Sequence, residues 1–253
     1  MSAPRTSLGP SIWAVSDGRA GNAAQVRAII SALSETRRWL QIGHIVGSGH
    51  RADPITLTPR APWTWLPGAN WPVARLALPP HHRQALVSPW PTLWIAAGRR
   101  SAAYSAGLRQ WSGGRSLTVQ ILDPKTDPSK YDLVVVPEHD ALEGANVIRT
   151  TGSPTHVSED AIEEAGQAFA DLADEQGKSA VIILGGDSKA HKFTRAAADT
   201  LIEQFEDLAR EGWRLRITCS RRTPVSVVSR MRQMSDRVGA PIWAPDQDGP
   251  TPS

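Results

Sequence analysis

Six short apolar runs, each broken off by glycine or polar residues, recur along this chain: residues 11–16 (SIWAVS), 93–97 (LWIAA), 117–122 (LTVQIL), 133–137 (LVVVP), 180–184 (AVIIL) and 215–219 (LRITC). Weaker ones cover residues 40–46 and the neighbourhood of Ile242. Continuous apolar runs of about five residues fit strands covered on both faces, as in a parallel sheet. Between them the apolar residues recur at spacings of three and four. Ala23, Val26, Ile29, Ile30 and Leu33 do so in residues 22–35, and Ile162, Ala165, Phe169 and Leu172 in 159–174. Phe193, Ala197, Leu201, Phe205 and Leu208 follow the same rule up to a stop at Gly212. Glu159 and Asp160 sit where a helix N-terminus favours negative charge. Strands alternating with helices of this length predict βαβ units: a parallel sheet with helices on both faces.

A length of 253 residues suits one large or two modest domains of this kind. The Gly-Ser-Pro turn within residues 152–157 is the expected boundary. The predicted units are a Rossmann-like domain over 10–150, a connecting helix over 151–177, a second Rossmann-like domain over 178–244 and a disordered tail over 245–253. The stretch from 48 to 91 breaks the pattern with proline and tryptophan (PRAPWTWLPGANWP, LPPHHR, SPWP). Proline at this density interrupts regular elements, so an irregular connection exposing Trp63, Trp65 and Trp71 is expected. Charged residues at 21% and a net charge of +3 argue against wholesale disorder. No apolar run reaches membrane-spanning length and no signal-peptide core opens the chain. The single cysteine, Cys219, excludes an intramolecular disulfide and cysteine-based zinc sites. A cytoplasmic protein is expected.

In open α/β sheets, ligands sit at the carboxyl ends of the strands, so the loops there come next. The first is Asp17-Gly18-Arg19-Ala20-Gly21-Asn22, where two glycines open a helix. Such a turn lets an anion approach the backbone closely; it is equally a tight turn with a cap. Gly98-Arg99-Arg100-Ser101 repeats the arrangement with two arginines. Glu138-His139-Asp140 reads as a tuned general base or as a capped loop end. Gly185-Gly186-Asp187-Ser188-Lys189, with Lys192 one turn on, reads as a diphosphate cradle opening a helix. Ser220-Arg221-Arg222-Thr223 offers two guanidiniums and two hydroxyls at a helix start. Arg outnumbers Lys by 23 to 5, and the basic excess lies in residues 1–150 (16 basic, 9 acidic) rather than 151–253 (12 basic, 16 acidic). This leans towards anionic ligands, although genomic base composition gives the same bias. Five loops on one edge, four of them with Lys or Arg, favour a phosphate-bearing ligand.

Other chemistries lack their patterns. There is no GxGxxG dinucleotide fingerprint and no GxxxxGK[ST] P-loop. A serine hydrolase lacks G-x-S-x-G. His44, His50, His81 and His82 have no ligand spacing, so no metal is expected. Nucleic acid is not an expected partner, because no binding motif accompanies the arginines and tryptophans.

Taken together, SDGRAGNAAQ, PTLWIAAGRRS, DLVVVPEHDALEGANVIRTTGSPTHV, LGGDSKAHKF and TCSRRTP resemble the mitochondrial-fission "elongated mitochondria" family from about Ile12 to the end of the chain. Its bacterial members are described as glycosyltransferases or nucleoside-diphosphate-sugar epimerases. The resemblance implies an α/β, GT-B-like fold: two Rossmann-like domains with parallel sheets facing across a cleft. It implies a nucleotide-sugar donor, no bound cofactor or metal, and a saccharide or lipid-linked envelope acceptor. On that scheme Gly185, Gly186, Ser188 and Lys189 meet the diphosphate, and Ser220, Arg221, Arg222 and Thr223 lie beside the nucleoside. Asp17, Gly18, Arg19, Gly21 and Asn22, with Arg99, Arg100, Glu138, His139 and Asp140, line the acceptor side. The base is expected at Asp17 or Asp140, with His139 next. The resemblance also implies further βα units after the last weak strand, so the second domain is expected to be incomplete, with an uncovered edge open to association. A basic, Trp-rich first half suits peripheral contact with the inner membrane face. The second expectation is a non-catalytic regulatory or interaction protein. An epimerase comes third, lacking GxGxxG and a Tyr-x-x-x-Lys pair.

Overall fold

The computed structural model describes residues 11–35, 45–46, 54–65, 71, 73–155, 157–168, 170, 177–188 and 191–245. The chain divides into two compact units, Met1–Glu163 and Glu164–Ser253. The expected tail beyond Pro245 lies outside the described residues, as do Phe169 and Leu172.

The first unit is an all-parallel sheet of seven strands: β1 (Ile12–Ser16), β2 (Ile45–Val46), β3 (Ile55–Thr56), β4 (Leu93–Ala97), β5 (Leu117–Ile121), β6 (Leu133–Pro137) and β7 (Val147–Thr150). Its order is β2-β1-β4-β5-β6-β7, and β3 pairs the last residues of β1 beyond β2. Helix α1 (Ala20–Glu35) joins β1 to β2, and α3 (Arg99–Trp111) joins β4 to β5. The chain moves one way across the sheet after β1 and the other way after β4. Right-handed crossovers in opposite directions place their helices on opposite faces. The packing agrees: Val26 and Ile30 of α1 meet Ile12, Ala14, Ile95, Ala97 and Ile121. Ala103, Tyr104 and Leu108 of α3 meet Val15, Trp94 and Ala96 on the other side.

The Pro- and Trp-rich stretch corrects the expectation of exposed indoles. It folds into 3-10 turns at Trp63–Trp65 and Ala74–Ala77 and a short helix α2 (Pro80–Ala85). Trp71 is buried and Trp63 half-buried; only Trp65 stands in solvent, 80% exposed. Trp63, Trp71 and Tyr104 form an edge-to-face chain with successive ring centroids 5.8 Å apart. Proline interrupts helices, but short turns still lay large rings on α3, and each ring buries more apolar area than a leucine. Strand β7, half-exposed and four residues long, carried too little alternation to be read as a strand.

The second unit is a three-stranded parallel sheet, β8 (Ser179–Leu184), β9 (Arg214–Cys219) and β10 (Ile242–Trp243), in the order β10-β9-β8. Helix α4 (Glu159–Ala168) precedes it, and no residue of α4 is buried; Ile162 is exposed. Helices α5 (Arg195–Arg210) and α6 (Val225–Val238) are the two crossovers. Both crossovers step the same way, so both helices lie on one face. Ile182, Leu184, Leu215, Ile217, Ala198, Ile202, Val227, Met231 and Met234 form one core. The other face of β8 carries Val181 and Ile183, 68% and 78% exposed. In this unit the expectation of strands covered on both faces is therefore corrected: among the described residues, helices cover one. Both sheets are parallel and helix-flanked, in the Rossmann-like manner.

Candidate functional site at the sheet switch point

Between β1 and β4 the sheet changes direction, and the loops leaving their carboxyl ends part to opposite faces. Ligands of open α/β sheets bind at this point. Here Ser16 and Ala97 are in register, so Asp17 and Gly98 emerge side by side. Asp17 is buried. Its Oδ1 accepts from Asn22 Nδ2 at 2.8 Å and from the Arg19 N–H at 3.3 Å, while no described group donates to Oδ2. A β-carbon on Gly98 would lie 2.4 Å from Asn22 Nδ2 and 2.5 Å from Asp17 Oδ2, so only glycine lets the two loops meet. Gly98 has φ 98° and ψ 157°, a region that is essentially glycine's alone.

A buried polar chain under β4 and β5 fixes that glycine. Ser101 Oγ and Gln120 Nε2 donate to the Gly98 carbonyl at 2.7 and 3.2 Å. Ser105 Oγ donates to Gln120 Oε1 at 2.9 Å and accepts from Trp94 Nε1 at 2.8 Å. Ser101 thus holds the turn rather than facing a ligand. Gly18, at φ 86°, turns the loop, whereas Gly21 lies in the first turn of α1 with open space where a β-carbon would go. Arg19 and Arg99 are exposed and Arg100 half-exposed. Two arginines in the first turn of α3 oppose the positive end of the helix dipole, and a bound anion relieves both.

One part of this site gave no sequence signal. The loop after β5, Leu122-Asp123-Pro124-Lys125, holds two non-glycine residues in the left-handed region, Leu122 at φ 69° and Lys125 at φ 56°. Such strain collects at functional sites. Burial alone would raise the Asp123 carboxyl, but hydrogen bonds from Lys125 and the charges of Lys125 and Arg99 outweigh it and hold the group below the usual carboxylate range. Asp123 and Lys125 also form an ion pair. A D-P turn with no glycine and no helix start is what any β-strand exit looks like, which is why the sequence did not single it out.

Glu138, His139 and Asp140 leave β6, two strands beyond β4. Three inter-strand spacings separate β6 from β1, about 14 Å. Glu138 and His139 are exposed, and the loop is tied to β7 through the Glu138 N–H on Thr150 O and Arg149 Nη2 on Glu138 O. The structure therefore gathers Asp17, Arg19, Asn22, Gly98, Arg99, Arg100 and the Asp123–Lys125 pair, and leaves Glu138–Asp140 three strands from Asp17.

In the second unit the loops after β8 and β9 pack on each other. A β-carbon on Gly186 would fall 1.9 Å from the Arg222 carbonyl oxygen, and the Asp187 N–H donates to that oxygen at 3.3 Å. Thr223 Oγ1 donates to Gly185 O at 2.8 Å or to Leu184 O at 3.1 Å, and accepts from the Ser220 N–H. The Ser188 N–H and Oγ close a turn with His191. Asp187 accepts from the Phe193 N–H and from Lys192 Nζ, both at 2.9 Å, and these bonds, the backbone one first, lower its carboxyl. The Gly-Gly segment does not open a helix: α5 begins at Arg195 behind its Thr194 cap. Gly186 serves loop-to-loop contact, whereas Gly185 has open space where a β-carbon would go. Lys189 lies outside the described residues. Arg221 and Arg222 are exposed and carry no ion pair among the described residues. Gly186→Ala should push the two loops apart at a cost of at least about 2 kcal/mol. Cys219, buried at the end of β9, checks this: its thiol should react with a disulfide reagent at least about tenfold faster in the variant, and an unchanged rate would show that the loops are not packed as described.

Among the described residues no group of His, Cys, Asp or Glu is arranged to hold a metal ion, and no helix is long and apolar enough to cross a membrane. The family model described as Mitochondrial fission ELM1 matches residues 20–253. No curated protein and no solved structure matches the chain.

Proposed function

Because the chain belongs to the mitochondrial fission ELM1 family, we propose that it binds a nucleotide-sugar and transfers the sugar to a saccharide or lipid-linked acceptor. One observation carries the reading: a buried carboxylate at the switch point, held through one oxygen, with no described group donating to the other. In such a reaction the acceptor O–H gives its proton to Asp17 Oδ2, the freed oxygen bonds to the anomeric carbon, and the bond from that carbon to the phosphate oxygen breaks. The departing nucleoside diphosphate takes the electron pair and needs positive charge nearby. Preorganised donors of this kind supply much of the stabilisation in phosphate-leaving reactions. Taken each by itself, the second unit offers the exposed Arg221 and Arg222 to a nucleoside diphosphate, and the first unit offers Arg99 with the α3 N-terminus to an anionic group.

The test is a thermal-unfolding scan against UDP, GDP, ADP, CMP and dTDP. A ligand of the folded state at 100 times its dissociation constant stabilises by about 2.7 kcal/mol, a rise of several degrees. One nucleotide raising the transition, with the rise lost in Arg221→Ala, supports the donor reading. No shift with any of them overturns it. The second reading, a non-catalytic interaction protein, draws on the way Asp187, Ser220 and Thr223 already bond to their own loops.

A further inference from the structure

We propose that a cavity on the outer flank of α3, remote from the switch point, binds an amphiphile with a phosphate head and an apolar tail. The cavity measures about 350 Å³ and adjoins a second of about 400 Å³ that shares Ala106, Gln110 and Lys130. Ligand pockets start near this size. Its floor comes from one stripe of α3, including Ala106 and Trp111, and its wall from Trp71, Val73 and Arg75. Gly107 is needed here: a β-carbon would lie 2.6 Å from the Trp111 ring. The indole therefore lies down along the helix instead of standing off it.

The charges in the cavity are all of one sign. The Arg75 guanidinium sits 5.4 Å from the Trp111 ring centroid and 6.0 Å from that of Trp90, and its Nη2 donates to Leu86 O at 2.7 Å. This cation is held in place by aromatic faces and a neutral carbonyl, with no carboxylate partner among the described residues. Lys130 also lines the cavity, and its Nζ donates to a hydroxyl, Thr126 Oγ1 at 3.0 Å, with the Asp127 carboxylate near enough for the two charges to interact. No Asp or Glu lines either cavity. Arg75, with no carboxylate partner among the described residues, and the exposed Lys130 together favour an anion, and phosphate accepts from both.

The remaining lining argues for an apolar body on that anion. Trp71, Val73, Ala106 and Trp111 present surface that a bare phosphate cannot cover. The same segment carries further exposed apolar side chains, Leu76 at 45% and, after Leu86, Val87 at 47%, beside Val73 of the cavity wall at 47%. The inference does not rest on sugar transfer, and its test needs none.

Octyl phosphate below its micelle concentration, octanol and inorganic phosphate are titrated separately into the full chain. Tryptophan emission and the unfolding temperature are followed. Octyl phosphate should change the emission saturably and raise the transition, with octanol and inorganic phosphate at least about tenfold weaker. Lys130→Glu, a change at an exposed side chain, should weaken octyl phosphate at least about fivefold, while the variant keeps its cooperative unfolding. Octanol binding as well as octyl phosphate would reduce the site to a greasy patch. Inorganic phosphate binding as well would move the anion elsewhere. Lys130→Glu binding like the parent protein would remove the cavity from the account. Each of these three outcomes overturns the proposal.

Discussion

Asp17→Asn should lower sugar transfer by about 10²–10⁴-fold, the range that a positioned general base contributes, while the unfolding temperature stays within a degree or two. The asparagine side chain has nearly the same shape as aspartate. Its carbonyl oxygen can still accept from Asn22 Nδ2 and the Arg19 N–H, so the turn into α1 keeps its ties. What changes is the second position, where an amide replaces the carboxylate oxygen that no described group donates to. An amide cannot accept a proton from a hydroxyl, so the loss should fall on the rate constant and not on acceptor affinity. The check is steady-state transfer with the nucleotide-sugar identified by the unfolding scan, comparing kcat and KM. Retention of more than a tenth of the parent rate would remove Asp17 from the base role. Asp123, the other carboxylate beside Arg99, would then be the next to replace. His139→Ala and Asp140→Ala, at the exit of β6 three strands away, serve as comparisons. A large loss in either, with Asp17→Asn near normal, would show that the exit of β6 matters more than the switch point.

The strands that carry this site were legible because a strand buried on both faces leaves an unmistakable apolar run. LWIAA and LVVVP became β4 and β6 with the expected bounds. Asp17 and Gly98 were legible for a second reason: glycine beside a charged residue at the end of such a run marks a turn that approaches something closely. Strand order was not legible. Glu138-His139-Asp140 looked like a partner of Asp17 because every exit loop of a parallel sheet lies on one edge, yet nothing local says how far along that edge a strand falls. The Asp123–Lys125 pair was missed for the opposite reason, since its importance comes from a neighbour, Arg99, at the start of α3. The tryptophans were misread because composition reports proline's effect on helices but not the packing that short turns still permit. The uncovered face of β8 follows from topology as well: SAVIIL reads as doubly buried, whereas two crossovers in one direction can cover only one side.

Gly98→Ala should be the most damaging single-methyl change in the first unit, and the reason separates two costs. The backbone at φ 98° and ψ 157° is open to glycine and costs another residue about 1–3 kcal/mol. The methyl would also overlap Asn22 Nδ2 and Asp17 Oδ2 at 2.4 and 2.5 Å, where ordinary contact begins beyond 3.4 Å. Those atoms cannot retreat freely, because Asn22 and Asp17 bond to each other and Gly98 is pinned by Ser101 and Gln120. Overpacking of this kind adds about 1–3 kcal/mol, giving about 3 kcal/mol or more in all. For a chain of this length that lowers the unfolding temperature by about 10 °C. Gly113→Ala isolates the first cost, since Gly113 also has a positive φ, 62°, but nothing within 4 Å of the added carbon; it should lose only about 1–2 kcal/mol. Gly21→Ala removes both, having open space and a helical position, and should leave stability unchanged. A ligand that approaches the α1 backbone closely would then show itself as lost binding in Gly21→Ala without lost stability. Equal unfolding temperatures for Gly98→Ala and Gly113→Ala would mean that the loops after β1 and β4 do not meet, and Asp17 Oδ2 would lose the neighbour that shapes its surroundings.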